Sequence, residues 1–510
     1  ILVAAGIINR ILGFVPRAAL PRIIGAEGVG LYQLAYPFLL AILTIITGGI
    51  PVAVSKLVAE AESAGNEAKV RLVLKVSLLL SASLGIGFML LCYLAAPWIT
   101  SRLLTDSRVY SAFLVMIPII LIVALSSVFR GYFQGRQNMI PTAVSQLTET
   151  VIRIIAILTF AWVLLPYGLE YAAAGAMLGV LFGEAGSLAV MFGFFWKTKG
   201  RYRLFNKATI GSSGRAIGGM ATLRRILRIA VPVTASRLVG SFSYLLESIV
   251  LIQSLAIAGV ATSLATAQYG ALQGMIIPIL LLPNALTYSL SVSLVPSLSE
   301  AAARGDMSTI HKRLRQSFRL ALMAGAPFAV ILYVLADPIV YYLYGQTDIG
   351  VMLKMMAPIA LFIYFQSPLA AALQALDKPG TALVNTLIGA VIKLVLIYML
   401  ASRPNLGILG AIMAININTI IVTMLHWFSV SRLLRFSMPA SDFLKMGLVM
   451  GLTGLVSSMV MNTDWVDAAF LRFVSSLGAG GAVYAACLYL LRMVRPGDFS
   501  RYLGFGRGKR

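Results

Sequence analysis

Gly30-Leu31-Tyr32-Gln33 returns 240 residues later as Gly270-Ala271-Leu272-Gln273. The same shift carries Glu60 and Gly65 onto Glu300 and Gly305, Pro118 onto Pro358, Gln134 onto Gln374, and Arg153 onto the equally basic Lys393. The two halves also open alike, Asn9-Arg10-Ile11-Leu12-Gly13 against Ser236-Arg237-Leu238-Val239-Gly240. Both copies lie in apolar sequence. A duplicated helical bundle with its binding site between the halves is a common transporter plan. Arg10 and Arg237 then stand out as one intramembrane cation per half.

Composition fixes the class. The 510 residues are 59% hydrophobic and only 12% charged, against roughly 25% charged in soluble domains. Apolar runs mostly exceed the ~18–20 residues that span a bilayer as helix, and no alternating pattern suggests a barrel. Cys92 and Cys487 both fall in apolar runs, so no disulfide framework is implied. The chain opens on Ile1, which suggests a short missing leader. Residues 1–20 resemble a signal h-region, but Arg10 and Arg17 interrupt it, and a first spanning helix is the reading adopted.

Spans are expected near 1–20, 31–54, 72–96, 109–129, 140–164, 171–196, 229–254, 266–295, 320–336, 350–375, 380–400, 406–430, 446–462 and 473–491. The fold class is therefore an all-α polytopic membrane protein of 14 transmembrane helices, with two pseudo-symmetric six-helix lobes plus two C-terminal helices. Loops that join even to odd spans are rich in Lys and Arg: nine in 197–228, five in 304–319 and six in 492–510. The opposite loops hold only Arg22, Arg102, Arg108 and Arg403. By the positive-inside rule both termini are cytoplasmic. The expected division is an N-lobe 1–196, a basic cytoplasmic linker 197–228, a C-lobe 229–430, and residues 431–510 with two further spans and a tail. Most of the formal charge of +23 is thus topogenic. The linker lies naturally on anionic membrane lipids, and it lacks the interleaved aromatics that nucleic-acid binding would need.

The charges left inside spans carry the functional reading. Arg10 and Arg17 are seven apart and share a helix face. Each costs at least ~2.5–3.5 kcal/mol at mid-bilayer, so that face must meet water or protein. With Arg237 they form a candidate anion site, because a guanidinium fork matches two phosphate oxygens. The plainer alternative is that each bonds helix-end carbonyls or lipid phosphate. Glu149 and Arg153, four apart, form either a self-neutralising pair or, with Lys393, a gate or cavity wall. Glu247 lies about 15 Å along the helix from Arg237, too far for direct pairing. It is either a proton or cation coupling site or a buried protonated carboxyl. Glu184 is similar but less well placed. Lys75, Lys354, Arg472 and Glu300 sit near span ends and can snorkel. His311 is expected to be solvated, and His426 to share a membrane interface with Trp427. No nucleotide-binding G-x-x-x-x-G-K-[ST] loop occurs and no His/Cys cluster has metal spacing, so no cofactor, metal or catalytic residue is expected.

Several strings together resemble the stage V sporulation protein B family. They are Asn9-Arg-Ile-Leu-Gly-Phe14, Gly25-Ala-Glu-Gly-Val-Gly-Leu-Tyr-Gln33, Gly49-Ile-Pro-Val-Ala-Val-Ser-Lys-Leu-Val-Ala-Glu60, Arg130-Gly-Tyr-Phe-Gln-Gly135, Pro141-Thr-Ala-Val-Ser-Gln146, Pro232-Val-Thr-Ala-Ser-Arg-Leu-Val-Gly240 and Leu294-Val-Pro-Ser-Leu-Ser-Glu-Ala301. That family belongs with MurJ-type lipid II flippases in the multidrug/oligosaccharidyl-lipid/polysaccharide exporter superfamily. The resemblance implies a V-shaped fourteen-helix bundle in the bacterial cytoplasmic membrane, or the forespore membrane if sporulation-specific. It implies a lipid-linked oligosaccharide cargo, an undecaprenyl-pyrophosphate peptidoglycan precursor, moved for spore cortex synthesis. It also implies that first-span cations line the cavity, here Arg10 and Arg17, and that residues 446–491 form a groove for the lipid tail. MurJ-type proteins carry an eighth-span arginine. Here Thr266 to Val295 is uncharged, and Arg237 is the substitute.

Three rival functions stay open at this point. A cation-coupled drug or metabolite antiporter would centre on Glu247. A membrane glycan polymerase would use Asp337, Asp348, Asp464 or Asp467. A non-transporting scaffold would bind wall-synthesis enzymes.

Overall fold

The structure, a computed structural model, describes residue 9 and residues 12–199, 218–463 and 468–493. Arg10, Asp464, Asp467 and most of the basic linker lie outside the described residues. Within them the chain is helical throughout, with no strand.

The first helix, α1 (Phe14–Thr47), is broken at Gly25, whose φ of 68° and ψ of 178° are non-helical. Only glycine occupies that region without strain. Arg17 and Tyr32 lie within electrostatic reach of each other, yet fifteen residues of straight helix would hold them about 22 Å apart. The chain therefore doubles back at Gly25, and α1 contains the end of one span and the whole of the next. Thirteen described helical segments are long and apolar enough to cross a membrane. Dividing the first of them, Phe14–Ser63, at Gly25 gives fourteen.

The remaining helices of the first half are α2 (Ile50–Ser63), α3 (Glu67–Trp98), α4 (Val109–Gly135), α5 (Ile140–Leu164) and α6 (Leu169–Lys199). The second half begins with α7 (Gly219–Ile257) and α8 (Thr262–Gly270), then a π-helical turn Ala271–Ile276, α9 (Ile277–Leu281) and α10 (Asn284–Ala303). It continues through α11 (Met307–Val334), α12 (Ala336–Tyr344), α13 (Gly350–Met356), α14 (Ala360–Ala375), α15 (Pro379–Ala401) and α16 (Gly407–Leu434), and ends with α17 (Ala440–Asn462) and α18 (Ala469–Leu490).

The 240-residue repeat is visible in the backbone. Gly65 and Gly305 both take positive φ, 63° and 69°, and so do Gln137 and Asp377, 56° and 55°. The next residue caps a helix in each copy: Asn66 accepts from the Lys69 amide at 2.9 Å, and Asp306 from the Thr309 amide at 3.0 Å. Such caps satisfy amides the helix cannot.

By packing, the chain forms two compact units, Ile1–Met275 with Ile397–Gly410, and Ile276–Leu396 with Ala411–Arg510. The division between them falls in the π-helical turn after α8. The repeat-based lobes are a separate division. Each unit has its own apolar core. Val58, Val70, Leu74, Phe129 and Phe133 are core residues of the first. Their 240-shifted counterparts Leu298, Ile310, Leu314, Leu369 and Leu373 are core residues of the second. One amphipathic pattern thus builds the same core twice.

Several boundaries and neighbours differ from expectation. The ninth span was expected at 320–336, but α11 starts at Met307. Ile310, Leu314 and Phe318 are buried while Lys312, Arg313 and Arg315 are exposed, so an amphipathic extension prolongs the apolar run. The eighth span is not one helix, because Pro283 and the π-helical turn interrupt it. His311 is half-buried rather than solvated. Its Nε2 is 2.8 Å from the Leu434 carbonyl and its ring packs on Phe436. His426 is buried, with Nδ1 2.7 Å from the Val422 carbonyl of its own helix. Lys354 bonds Asp337, which ties up one carboxylate the polymerase reading would need. In the second unit α17 and α18 pair closely, with the Ser476 hydroxyl donating to the Ser457 carbonyl at 2.6 Å. Tyr484 of α18 donates to the Met323 carbonyl of α11 at 2.6 Å.

Candidate substrate site and gate

One wall of the first unit collects its intramembrane charges. Arg17 is exposed on the first arm of α1. Tyr32 and Tyr36, one helical turn apart on the second arm, have ring centroids 6.2 Å apart. Arg17 lies within electrostatic reach of Tyr32 and of Tyr244 on α7. Tyr32 is also within reach of Arg153. Arg153 Nη1 donates to Glu149 Oε1 at 2.9 Å, so the expected i, i+4 pair forms. Glu184 of α6 sits within reach of Glu149, Arg130 and Arg153. Gly183 makes that approach possible, because a Cβ there would be 2.8 Å from the Arg153 Cβ. Arg130 and Arg153 thus face two carboxylates, Glu149 and Glu184, and Arg17 near Tyr32 adds a third cation to the wall.

Beyond Tyr244 the wall becomes neutral and acidic. Glu247 is 6% exposed, and its Oε1 accepts from Gln273 Nε2 at 3.1 Å. Gln273 lies in the π-helical turn, a distortion often found at functional positions. Tyr269 is fully buried within reach of both Tyr244 and Glu247.

The sequence-selected residues are thus distributed unevenly. Arg17 and Arg153 meet around Tyr32, and Glu149 is joined to them through its bond to Arg153. Arg237 is exposed on α7, and Glu247 faces α8 instead. Lys393 is half-buried on α15 in the second unit. Arg130, Glu184, Tyr32, Tyr244 and Gln273 complete the wall and were not selected from sequence. Gln273 had a usable signal, since it repeats Gln33.

A second constellation closes one end of the same unit. Gly30 and Gly270, equivalent in the repeat, lie against each other. A methyl on Gly30 would overlap the Thr266 carbonyl oxygen, and one on Gly270 would overlap that of Ala26. Above this crossing the Thr266 hydroxyl donates to Asp106 Oδ2 at 2.8 Å. Arg108 donates to Asp106 Oδ2 at 2.9 Å and to Glu27 Oε1 at 2.7 Å. Burial raises the Asp106 carboxyl, but the hydrogen bonds from Arg108 and Thr266 outweigh it and hold the group below its ordinary value. The loop after α3, the Gly25 corner and the start of α8 are thereby tied together.

At the other end of α1, Gly49 lies against Ala230 and Gly48 against Thr234 of α7. The polar contact there is Arg225 Nη2 to Glu60 Oε2, 2.8 Å, with side chains 45% and 37% exposed.

A repeated bundle of this kind, with unbalanced cations at membrane depth, defines a multi-pass membrane transporter. The profile described as "Polysaccharide biosynthesis protein" matches residues 1–302, and MatE matches residues 241–399. Stage V sporulation protein B of Bacillus subtilis is 41% identical over 508 residues, 99% of this chain and 97% of that protein. The chain belongs to the stage V sporulation protein B family, within the polysaccharide-exporter group of transporters. The lipid II flippase MurJ of B. subtilis is 26% identical, across 98% of this chain and 96% of its own. Among solved structures, lipid II flippase MurJ in an inward closed conformation superposes with a TM-score of 0.71 at 19% identity, covering 98% and 99% of the two chains. An inward-facing MATE-family transporter reaches 0.66 at 16% identity, covering 84% and 94%. MurJ is named as a flippase and the MATE-family protein as a transporter.

Proposed function

We propose that this protein moves an undecaprenyl-pyrophosphate-linked peptidoglycan precursor from the inner to the outer leaflet by alternating access, for spore cortex synthesis. The observation that carries this reading is similarity along the whole chain to both a stage V sporulation protein B and a lipid II flippase. Arg10, Arg17 and Arg237 bind the pyrophosphate. The exposure of Arg17 and of Arg237 suits that role, because a cation in a span must face a wet cavity or a partner.

The lobes 1–196 and 229–430 alternate, with 197–228 as the cytoplasmic linker and both termini inside. On that topology the Asp106–Thr266 cluster is an outer latch that joins α8 of the second repeat to the first. The Arg225–Glu60 contact is its inner counterpart. Residues 446–491 hold the lipid tail. Glu149, Arg153 and Lys393 line the cavity, and Glu247 couples transport to a cation or proton. An inside-negative potential favours outward passage of an anion by roughly 2.3 kcal/mol per charge per 100 mV, which supplies direction without ATP.

The test is exposure of the lipid-linked precursor at the outer surface of cells that depend on this protein. Arg17→Ala and Arg237→Ala should each abolish it at normal protein level. Wild-type exposure in both variants would sink the site assignment. Full function of Glu247→Gln with collapsed ion gradients would remove the coupling role.

A further inference from the structure

The first unit carries a cavity that the charged wall does not use. It is about 1010 Å³, at the upper end of the ~300–1,000 Å³ typical of small-molecule pockets. Three helices line it, each with one stripe. From α3 come Arg71, Lys75, Leu79 and Ala82, spaced three and four apart as one helix face requires. From α4 come Ile122, Leu125 and Phe129, and from α6 Ala185, Ala189 and Phe192. The alanines form the hollow end, because Cβ is all they project. Every lining residue is apolar except Arg71 and Lys75, which sit together near the start of α3. Arg71 anchors its Nε on the Glu67 carbonyl at 3.3 Å, and Lys75 is exposed.

The polar end is reinforced from α7. Thr222, Ile226 and Ala230 are buried there, with Ile226 in the same core as Val70, Val73 and Leu74 of α3. Arg224, Arg225 and Arg228 project from its exposed side. The start of α7 is thus an amphipathic cationic segment packed on α3.

We propose that this groove is a binding site for one anionic glycerophospholipid, with its phosphate on Arg71 and Lys75 and its acyl chains between α3, α4 and α6. Length and charge both select that occupant. From Ala185 to Phe195 the lining stripe of α6 runs ten residues, about 15 Å, half the ~30 Å hydrocarbon core. That accommodates the tails of one leaflet. The cations mark the end at which the loops are most basic, which on the positive-inside reading faces the leaflet where anionic lipids attract basic segments. A zwitterionic lipid would gain the apolar contacts but not the phosphate charge complementarity.

The test uses the full-length protein in nanodiscs of phosphatidylcholine with a minor fraction of phosphatidylglycerol, followed by native mass spectrometry of retained lipid. The wild type should enrich phosphatidylglycerol, and Arg71→Gln or Lys75→Gln should each lower that enrichment about fivefold. Ala185→Trp should displace the lipid whatever its headgroup, while thermal melting of each variant reports folding. Undiminished enrichment in Arg71→Gln/Lys75→Gln, with a normal melt, would overturn the proposal. So would competitive displacement of phosphatidylglycerol from the wild type by a prenyl pyrophosphate, which would make the groove an entry port for cargo. Retention is read without transport, so this outcome is independent of the flippase reading.

Discussion

The two ends of the second arm of α1, after the Gly25 break, are closed by the same device and secured by different ones. At the Gly30 end, glycine meets the backbone of α8, and over it a carboxylate 3% exposed on its side chain is bonded by Arg108 and Thr266. At the Gly49 end, glycine meets Ala230 of α7, but the accompanying Arg225–Glu60 pair is largely solvated. A buried, multiply bonded carboxylate loses its partners at a cost of about 1–3 kcal/mol for each group left unsatisfied. An exposed pair contributes ~0–1 kcal/mol. The Gly30 end is therefore the more strongly fastened of the two.

The comparison breaks most readily at Gly30. Gly30→Val drives a side chain into the Thr266 carbonyl and should cost at least the upper end of ~1–3 kcal/mol, read as a lowered detergent melting temperature. Asp106→Ala comes next, at about 1–3 kcal/mol, with Asp106→Asn intermediate because the amide can still accept from Thr266. In a cysteine cross-linking assay across positions flanking Asp106 and Thr266, both of which stay native in the control, the same loss should appear as weaker cross-linking at that end.

Acid sharpens the contrast. Asp106 is depressed below its ordinary 3.8, so its contribution is present above that value and fades as pH falls through the lower folded value. The difference in melting temperature between the wild type and Asp106→Asn should therefore be constant at neutral pH and shrink below about pH 4. A difference that already vanishes at pH 6 would contradict the latch. Arg225→Ala should have the smallest effect, under about 1 kcal/mol, and none in 1 M salt, where screening falls to ~3 Å. If Arg225→Ala proved as costly as Asp106→Ala, the asymmetry between the two ends would not exist.

Much of this molecule was legible as sequence. Apolar runs gave fourteen passes, and the 240-residue offset matched Gly65 with Gly305, which the structure shows as equivalent positive-φ corners, each followed by a helix-capping residue. These are local properties: periodicity and capping depend on neighbours along the chain. The pairing of Glu149 with Arg153 was equally local, being a matter of helix pitch. Glu184 was read as similar to Glu247 but less well placed, and its approach to Glu149, Arg130 and Arg153 depends on convergence between helices, which no spacing encodes. Arg17, by contrast, was found from the cost of a charge in lipid alone.

Sequence by itself determined the membrane class, the duplication and the family, because hydrophobic burial and helix geometry act residue by residue along the chain. Only the tertiary structure decided that Gly30 and Gly270 meet one another and that Asp106 bonds Thr266. The same holds for the hollow that Arg71 and Lys75 overlook, which opens between α3, α4 and α6. Those features exist where separate helices come within a few ångströms, and close approach in three dimensions leaves no mark in the order of residues until the fold is complete.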